Sequence, residues 1–165
     1  MILVTVGSDL PFDRMVKVID EWAGETGRDD VFAQIGDTDW VPKHIRHARF
    51  LEPAEFSKRF KEADRVIAHA GMGSILSALC AGKPILVMPR RAALRETRND
   101  HQVATAKHIR SLGKVETAFD EAELRSCLER IDFLETPSTV GRYASEGLVS
   151  AIRNLVMEPR DRVRG

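Results

Sequence analysis

The sequence predicts an α/β protein with one Rossmann-like open parallel sheet of about six strands and helices on both faces. Short β-branched apolar runs alternate with segments whose apolar residues recur at helical spacing. Most of the runs end at a glycine or are bounded by a proline. Strands that alternate with helices in this way pair in parallel. With 165 residues, the chain has the length of one domain with its own core.

The strands are expected at residues 2–6, 31–35, 49–51, 65–68 and 85–88, with a short sixth strand beginning at residue 115. Pro11 opens the first helix and Pro53 the second, because proline suits the first helical turn. A third helix is expected over 74–81, and a fourth ends near Leu112. Asp120 and Glu123 have the spacing of a capping box before the fifth helix. A sixth helix over 138–157 completes a domain of residues 1–157, and residues 158–165 form a frayed basic tail.

Composition excludes several classes of protein. Lys and Arg total 25 and Asp and Glu total 25, so the zero net charge argues against a nucleic-acid binder. The N-terminal apolar run is too short for a signal peptide, and the longest segment free of charged residues, 66–82, is too short to span a membrane. We therefore expect a cytoplasmic protein. Cys80 and Cys127 read as buried small hydrophobes in a reducing compartment, and no Cys/His spacing indicates a metal site.

The strongest local motif is His69-Ala70-Gly71-Met72-Gly73-Ser74, between a predicted strand and a predicted helix. The glycines allow close backbone approach, and the free N–H groups of a helix start suit a phosphate. The alternative is a plain glycine turn that packs the helix on the strand. The third glycine of a dinucleotide fingerprint is missing, which disfavours NAD, and no Walker A lysine follows.

Two further segments follow predicted strands at the same edge of the sheet. Gly7-Ser8 ends the first strand, and its alternative interpretation is an ordinary turn. Asn99-Asp100-His101-Gln102 begins the fourth helix, and its polar side chains could bind the hydroxyls of a sugar. Helix capping explains the first two of these four residues but not the last two.

The loop before that helix is rich in arginine. Arg90 leaves the fifth strand directly and is the best candidate for a diphosphate clamp. The alternative for the arginines as a group is a solvated basic loop.

The runs HAGMGSILSALCAGKPILVMPRR and ETRNDHQVATA, with the opening VTVGSDLPFDRM, resemble the C-terminal, donor-binding domain of family 28 glycosyltransferases. The resemblance covers roughly residues 1–131. It is strongest to the small single-domain subunits of two-component glycosyltransferases of the exopolysaccharide, capsule or dolichol-pathway type. The order of the glycine loop, H-A-G-x-G-S, A-G-K-P and N-D-H-Q is specific, although each motif alone is weak.

The resemblance implies one half of a GT-B architecture that binds a nucleotide sugar, usually a UDP-sugar, as donor substrate without a metal or other cofactor. Gly7 and Ser8 would lie near the diphosphate, the backbone at Leu51 near the base, and His101 near the sugar. His101, or else His69, could act as a base because histidine titrates near neutral pH. The predicted donor-binding residues are Gly7, Ser8, Leu51, His69, Gly71, Met72, Gly73, Ser74, Ser77, Arg90, Asn99, Asp100, His101 and Gln102.

The sequence departs from the family pattern at Ser77, where many members carry a glutamate that holds the ribose. A serine cannot form a bidentate contact, which puts tight UDP binding in doubt. The acceptor-binding domain of the family is also absent from these 165 residues. The resemblance therefore implies a partner subunit, membrane-associated, that recruits this chain to the inner face of the membrane. The helix over 138–157 either docks on that partner or packs on its own sheet.

The function expected from the sequence is the donor-binding subunit of a heteromeric glycosyltransferase, inactive without its partner, that transfers a sugar to a lipid-linked or polysaccharide acceptor. One alternative is a non-catalytic enhancer of a partner glycosyltransferase, which Ser77 favours. Another is a stand-alone nucleotide-sugar enzyme, such as an epimerase or hydrolase, in which a homodimer supplies the second wall of the cleft.

Overall fold

The computed structural model describes residues 1–8, 10–113 and 115–135. In these residues six parallel strands form one open sheet in the order β3-β2-β1-β4-β5-β6. The strands are β1 (Ile2–Thr5), β2 (Val31–Gln34), β3 (Arg46–Ala48), β4 (Arg65–His69), β5 (Ile85–Met88) and β6 (Glu116–Thr117). This order is that of a doubly wound dinucleotide-binding sheet, and it confirms the predicted fold class. The predicted helix over 138–157 and the tail over 158–165 lie outside the described residues.

Five helices connect the strands and cover both faces of the sheet. They are α1 (Asp13–Thr26), α2 (Pro53–Glu62), α3 (Met72–Cys80), α4 (His101–Ser111) and α5 (Glu121–Glu129), and short 3-10 turns lie at Ala92–Leu94 and Ile131–Phe133. Helices α1 and α5 pack on one face and α2, α3 and α4 on the other. The alternation along β1 follows this division, because Ile2 and Val4 face α1 whereas Leu3 faces α2.

The structure confirms the helix start predicted at Asp120 and contradicts the one predicted at Pro11. Asp120 does cap α5, since its carboxylate accepts the N–H of Glu123 at 2.8 Å. Pro11 does not open α1, which begins two residues later at Asp13, after Phe12. Phe12 is 1% exposed, so its ring is held in the core at the entry to the helix.

The predicted third strand at 49–51 is wrong, because β3 lies three residues earlier at Arg46–Ala48. A carboxylate on α1 fixes this position. Asp20 is only 3% exposed and accepts the backbone N–H groups of Lys43, His44 and Ile45 at 2.7–3.1 Å. These bonds hold the chain just before β3, and the apolar pair at residues 50–51 follows the strand instead of forming it.

The cysteines also differ from expectation. Cys127 is buried in the core beneath α5, as predicted, but Cys80 is exposed at the last position of α3. None of the helices in the described ranges is both long and apolar enough to cross a lipid bilayer.

Substitution Asp20→Ala should lower the free energy of unfolding by about 3 kcal/mol, because three backbone N–H groups lose their buried acceptor. Chemical denaturation measures the change. Glu21→Ala is the matched control, since this neighbouring side chain on α1 is exposed and should change stability by no more than about 0.5 kcal/mol. Equal effects of the two substitutions would contradict the role assigned to Asp20.

Candidate functional site

A cleft of about 420 Å³ opens at the carboxyl edge of the sheet, where the connections from β1 and β4 diverge. In open α/β sheets this switch point is where ligands bind. The walls come from the loops after β1, β4 and β5 and from the facing sides of α2 and α3. The lining residues are Thr5, Val6, Gly7, Ser8, Leu10, Phe56, Phe60, Val66, His69, Gly73, Ser74, Ser77, Arg90, Thr97 and Gln102.

The imidazole of His69 lies between two of the predicted glycines. A Cβ added to Gly7 would lie 2.8 Å from His69 Cε1, and one added to Gly71 would lie 2.2 Å from His69 Nε2. Gly7 also has φ of 83°, a left-handed backbone that favours glycine. The packing of His69 therefore explains why both positions are glycine, whether or not a ligand is bound.

His69 is held toward its neutral form. Burial lowers the pKa of the imidazole below its ordinary value, and the nearby positive charge of Arg90 lowers it further, against an opposing effect of the Thr5 backbone. Its Nδ1 atom is buried without a hydrogen-bond partner. At neutral pH the residue is thus an uncharged packing element between the two glycine loops.

Gly73 differs from the other two glycines. It is exposed in the first turn of α3, and a Cβ added there would meet no atom of the described residues within 4 Å. The N–H groups of Met72, Gly73 and Ser74 stand at the start of the helix, where no intrahelical acceptor is available. This end of the cleft therefore offers unpaired donors and a positive helix dipole under open space, a setting that suits a phosphate.

Two buried polar side chains hold the turn after β1, and the sequence analysis missed both. Thr5 and Gln34 are paired across β1 and β2, and their side chains are hydrogen-bonded at 3.3 Å. The Thr5 hydroxyl accepts the Gly7 N–H at 3.2 Å, and the Gln34 amide donates to the Gly7 carbonyl at 3.5 Å. The available signal was a polar residue at the last position of each of two adjacent apolar strands.

Arg90 lies in the wall of the cleft but is only 3% exposed. Its guanidinium donates to the carbonyls of Val6 at 2.7 Å, Pro11 at 2.5 Å and Leu10. It also stacks over the Phe12 ring, 4.9 Å from the centroid. Arg90, the residue predicted to clamp a diphosphate, is therefore hydrogen-bonded to backbone carbonyls in this structure. Its positive charge lies in the wall of the cleft.

The four residues of the polar segment 99–102 do not lie together: one of them lines the cleft, and the other three do not. Gln102 lines the cleft, and its Oε1 accepts a hydrogen bond from the backbone N–H of Arg90 at 3.1 Å. Asn99 accepts the first N–H of α4, from His101, at 3.3 Å, and Asp100 accepts the Ala92 N–H at 2.8 Å. His101 is exposed and is not among the described residues that line the cleft.

The other end of the cleft is aromatic. Phe56 and Phe60 of α2 stack with their centroids 6.1 Å apart, and both line the cleft opposite Ser77 of α3. Leu51, the residue predicted near a base, packs against the same core cluster as these two rings and is not among the residues that line the cleft. Sequence alone does not reveal this role, because the helical spacing of Phe56 and Phe60 is that of an ordinary buried face.

The remaining predicted residues belong to α3. Ser74 and Ser77 line the cleft, and the Ser77 hydroxyl donates to the Gly73 carbonyl one turn earlier at 2.7 Å. Met72 instead packs on the core beneath α3. Within the described ranges, no group of three or more His, Cys, Asp or Glu side chains is placed to hold a metal ion.

An open parallel sheet of this strand order with helices on both faces defines the class of Rossmann-like α/β domains. The sequence model of the "Glycosyltransferase family 28 C-terminal domain" matches residues 1–139, and the chain belongs to this family.

Comparison with individual proteins agrees with this membership. The chain is 35% identical over 92 residues to the UDP-N-acetylglucosamine transferase subunit ALG13 of Mus musculus. That match takes in 53% of this chain but only 8% of the mouse protein. The solution structure of an ALG13 protein superposes with a TM-score of 0.62 at 20% identity, covering 95% of both chains. The crystal structure of MurG from Acinetobacter baumannii gives the same TM-score at 17% identity, covering 95% of this chain and 49% of MurG.

The histidine between the glycines should make stability depend on pH. Because folding lowers the pKa of His69, the unfolded chain takes up a proton near pH 6.5 while the folded chain does not. The free energy of unfolding should therefore fall as pH decreases below about 6.5, by at most about 1.4 kcal/mol per pH unit from this residue.

Denaturation of His69→Gln between about pH 7 and pH 5 should show a shallower pH dependence than that of the original protein. His108→Gln is the control, because His108 is exposed on α4. The interpretation fails if the two variants lose the same amount of pH dependence.

Proposed function

We propose that the chain is the donor-binding subunit of a glycosyltransferase, and that it binds a UDP-sugar in the cleft. The observation that carries the proposal is the start of α3, where unpaired N–H groups lie under the open space at Gly73. Membership of the family and the name of the mouse relative, a UDP-N-acetylglucosamine transferase subunit, support the same assignment.

The two ends of the cleft suit the two ends of a nucleotide. The diphosphate would accept hydrogen bonds from the N–H groups at 72–74, beside Gly7 and Ser8. The base would lie against Phe56 and Phe60, because flat aromatic groups stack on phenylalanine rings. The sugar would then extend toward the loop after β5, where Thr97 and Gln102 offer polar atoms.

In the proposed reaction, a hydroxyl oxygen of the acceptor attacks the anomeric carbon of the donor and inverts it. The bond from that carbon to the diphosphate oxygen breaks, and UDP leaves with the electron pair. The helix start would stabilise the negative charge that develops on the diphosphate. The proton of the attacking hydroxyl would pass to a base on the partner, and His101 is the candidate within this chain.

We propose that the second wall of the cleft comes from an acceptor-binding partner, as the word subunit in the name of the mouse relative suggests. A membrane-associated partner would bring the chain to lipid-linked or polysaccharide acceptors. A catalytic site that excludes water needs such a wall, and the chain alone should bind donor without transferring sugar.

Ligand-observed NMR with uridine, UDP and UDP-N-acetylglucosamine tests the donor site on the purified chain, with GDP and TDP as controls. Saturation should transfer to the three uridine compounds and not to the controls. Substitution Gly73→Ala should weaken UDP binding about tenfold, since a methyl group would fill the space above the N–H groups, yet leave uridine binding unchanged.

The fold should tolerate this substitution, because alanine in a helix is about 0.5–1 kcal/mol more favourable than glycine. Denaturation should therefore show Gly73→Ala to be at least as stable as the original protein. Cys80→Ala, at the other end of α3, is the binding control. Undiminished UDP binding by Gly73→Ala would remove the phosphate from the start of α3.

Substitution Phe56→Leu tests the aromatic end separately. It should weaken uridine and UDP by a similar factor, about fivefold, because both ligands would lose the same stacking contact. Titration followed by NMR measures the two affinities. If UDP alone were weakened, the base would not lie against this ring.

A non-catalytic enhancer is the second candidate function, and Ser77 favours it because its hydroxyl donates to the Gly73 carbonyl. An enhancer would bind no nucleotide, and its Gly73→Ala variant would stimulate the partner transferase as well as the original chain does.

A further inference from the structure

Two loops at the mouth of the cleft are tied to each other. The first loop, after β1, is described at residues 6–8 and 10–12, and the second comprises residues 89–100, after β5. Arg90 of the second loop donates to the carbonyls of Val6 and Pro11 in the first. The same guanidinium donates to the carbonyl of Glu96 in its own loop at 3.4 Å, so one group joins the backbones of both loops.

Glu96 anchors the second loop to helix α1. Both carboxylate oxygens are bonded to Arg14, with Oε1 accepting from Nε at 2.6 Å and Oε2 accepting from a terminal nitrogen at 2.9 Å. Oε2 also accepts the N–H of Arg91 at 2.9 Å. The side chains of Arg14 and Glu96 are each 12% exposed, so this bidentate pair is shielded from water.

Arg14 extends the connection beyond the loop. Its guanidinium donates to the Pro89 carbonyl at 3.3 Å and to the Glu121 carboxylate on α5 at 3.2 Å. Through Arg14, the second loop is fixed at both its start and its middle to the two helices that cover one face of the sheet.

Glu96 does not itself line the cleft, but its neighbours in the chain and in space do. Thr97 follows it directly and lines the cleft, and Arg90 reaches from its carbonyl to the first loop, which carries Gly7 and Ser8. A rotation of the peptide at Glu96 would therefore displace polar groups on both sides of the cleft.

We propose that Glu96, clamped by Arg14, is a positioning residue that fixes the two loops in the arrangement that binds the donor. The expected effect of Glu96 on donor binding rests on the proposed function, whereas the coupling between the two loops is a property of the ligand-free protein. Glu96 acts through Thr97 and Arg90 and makes no contact with ligand.

The test compares Glu96→Gln with Asp30→Asn. Glutamine retains the shape of the side chain but loses the charge and one acceptor oxygen. Asp30 is the matched control, because its carboxylate is also bidentate, to Arg28 at 2.9 and 3.0 Å, at the opposite edge of the sheet. Both variants should lose stability, and this loss alone does not decide the question.

Two readouts decide it. In the ligand-free protein, amide hydrogen exchange of residues 6–12 should be faster in Glu96→Gln and unchanged in Asp30→Asn. The dissociation constant for UDP should rise about tenfold in Glu96→Gln and remain unchanged in Asp30→Asn. The double variant Arg14→Gln/Glu96→Gln should bind no more weakly than the weaker single variant, since the two residues act as one unit.

Each failure has a separate meaning. Wild-type binding of UDP by Glu96→Gln, or equal weakening by Asp30→Asn, would overturn the positioning role. If the unmodified chain binds no nucleotide, the proposed function is wrong. The coupling between the two loops is then tested by hydrogen exchange alone. Unchanged exchange of residues 6–12 in Glu96→Gln would overturn the coupling, and faster exchange confined to that variant would support it.

Discussion

The structure at the carboxyl edge of the sheet depends on the hydrogen bonds that the buried guanidinium of Arg90 donates to the loop after β1. A charge that is 3% exposed is costly unless it is fully bonded, and the carbonyls of the loop after β1 supply the acceptors. The chain turns within this loop at Gly7, whose φ of 83° favours glycine. The hydrogen bonds from Arg90 therefore fix this loop, which forms one wall of the cleft, in the protein without ligand.

His69 fills the space that this arrangement leaves. Its ring separates Gly7 from Gly71, so the glycine loops after β1 and β4 are spaced by a single imidazole. The positive charge of Arg90 nearby helps to lower the pKa of that ring. A protonated ring would put a second positive charge beside the first in a buried place, which explains why the neutral form suits the fold.

Much of the fold could be predicted because it follows from local patterns. The buried strand β5 lies where its apolar run predicts, at Ile85–Met88, and the order of strands and helices follows from their alternation. The third strand could not be predicted, since a carboxylate on α1 sets its position through contacts between residues more than twenty positions apart. Local periodicity contains no information about such a contact.

The candidate site shows the same division. Glycines and serines next to strand ends could be identified because the carboxyl edge of a parallel sheet collects them. Thr5, Gln34 and Phe56 could not, since each reads as an ordinary core or strand residue. The fold brings Thr5 and Phe56 to the cleft and places Gln34 against Thr5 and Gly7.

The three predicted glycines have two different explanations, one in the packing of the fold and the other in the proposed binding of a ligand. At Gly7 and Gly71 any side chain would collide with His69, so the fold itself requires glycine there. At Gly73 the helix would be more stable with alanine, and a methyl group would meet no atom in the part of the chain that the structure describes. Under the proposed function, a phosphate group of the nucleotide would occupy this space above the N–H groups at the start of α3. The two glycine loops together therefore contain two glycines that the packing of His69 requires, Gly7 and Gly71, and a third, Gly73, that this packing does not require.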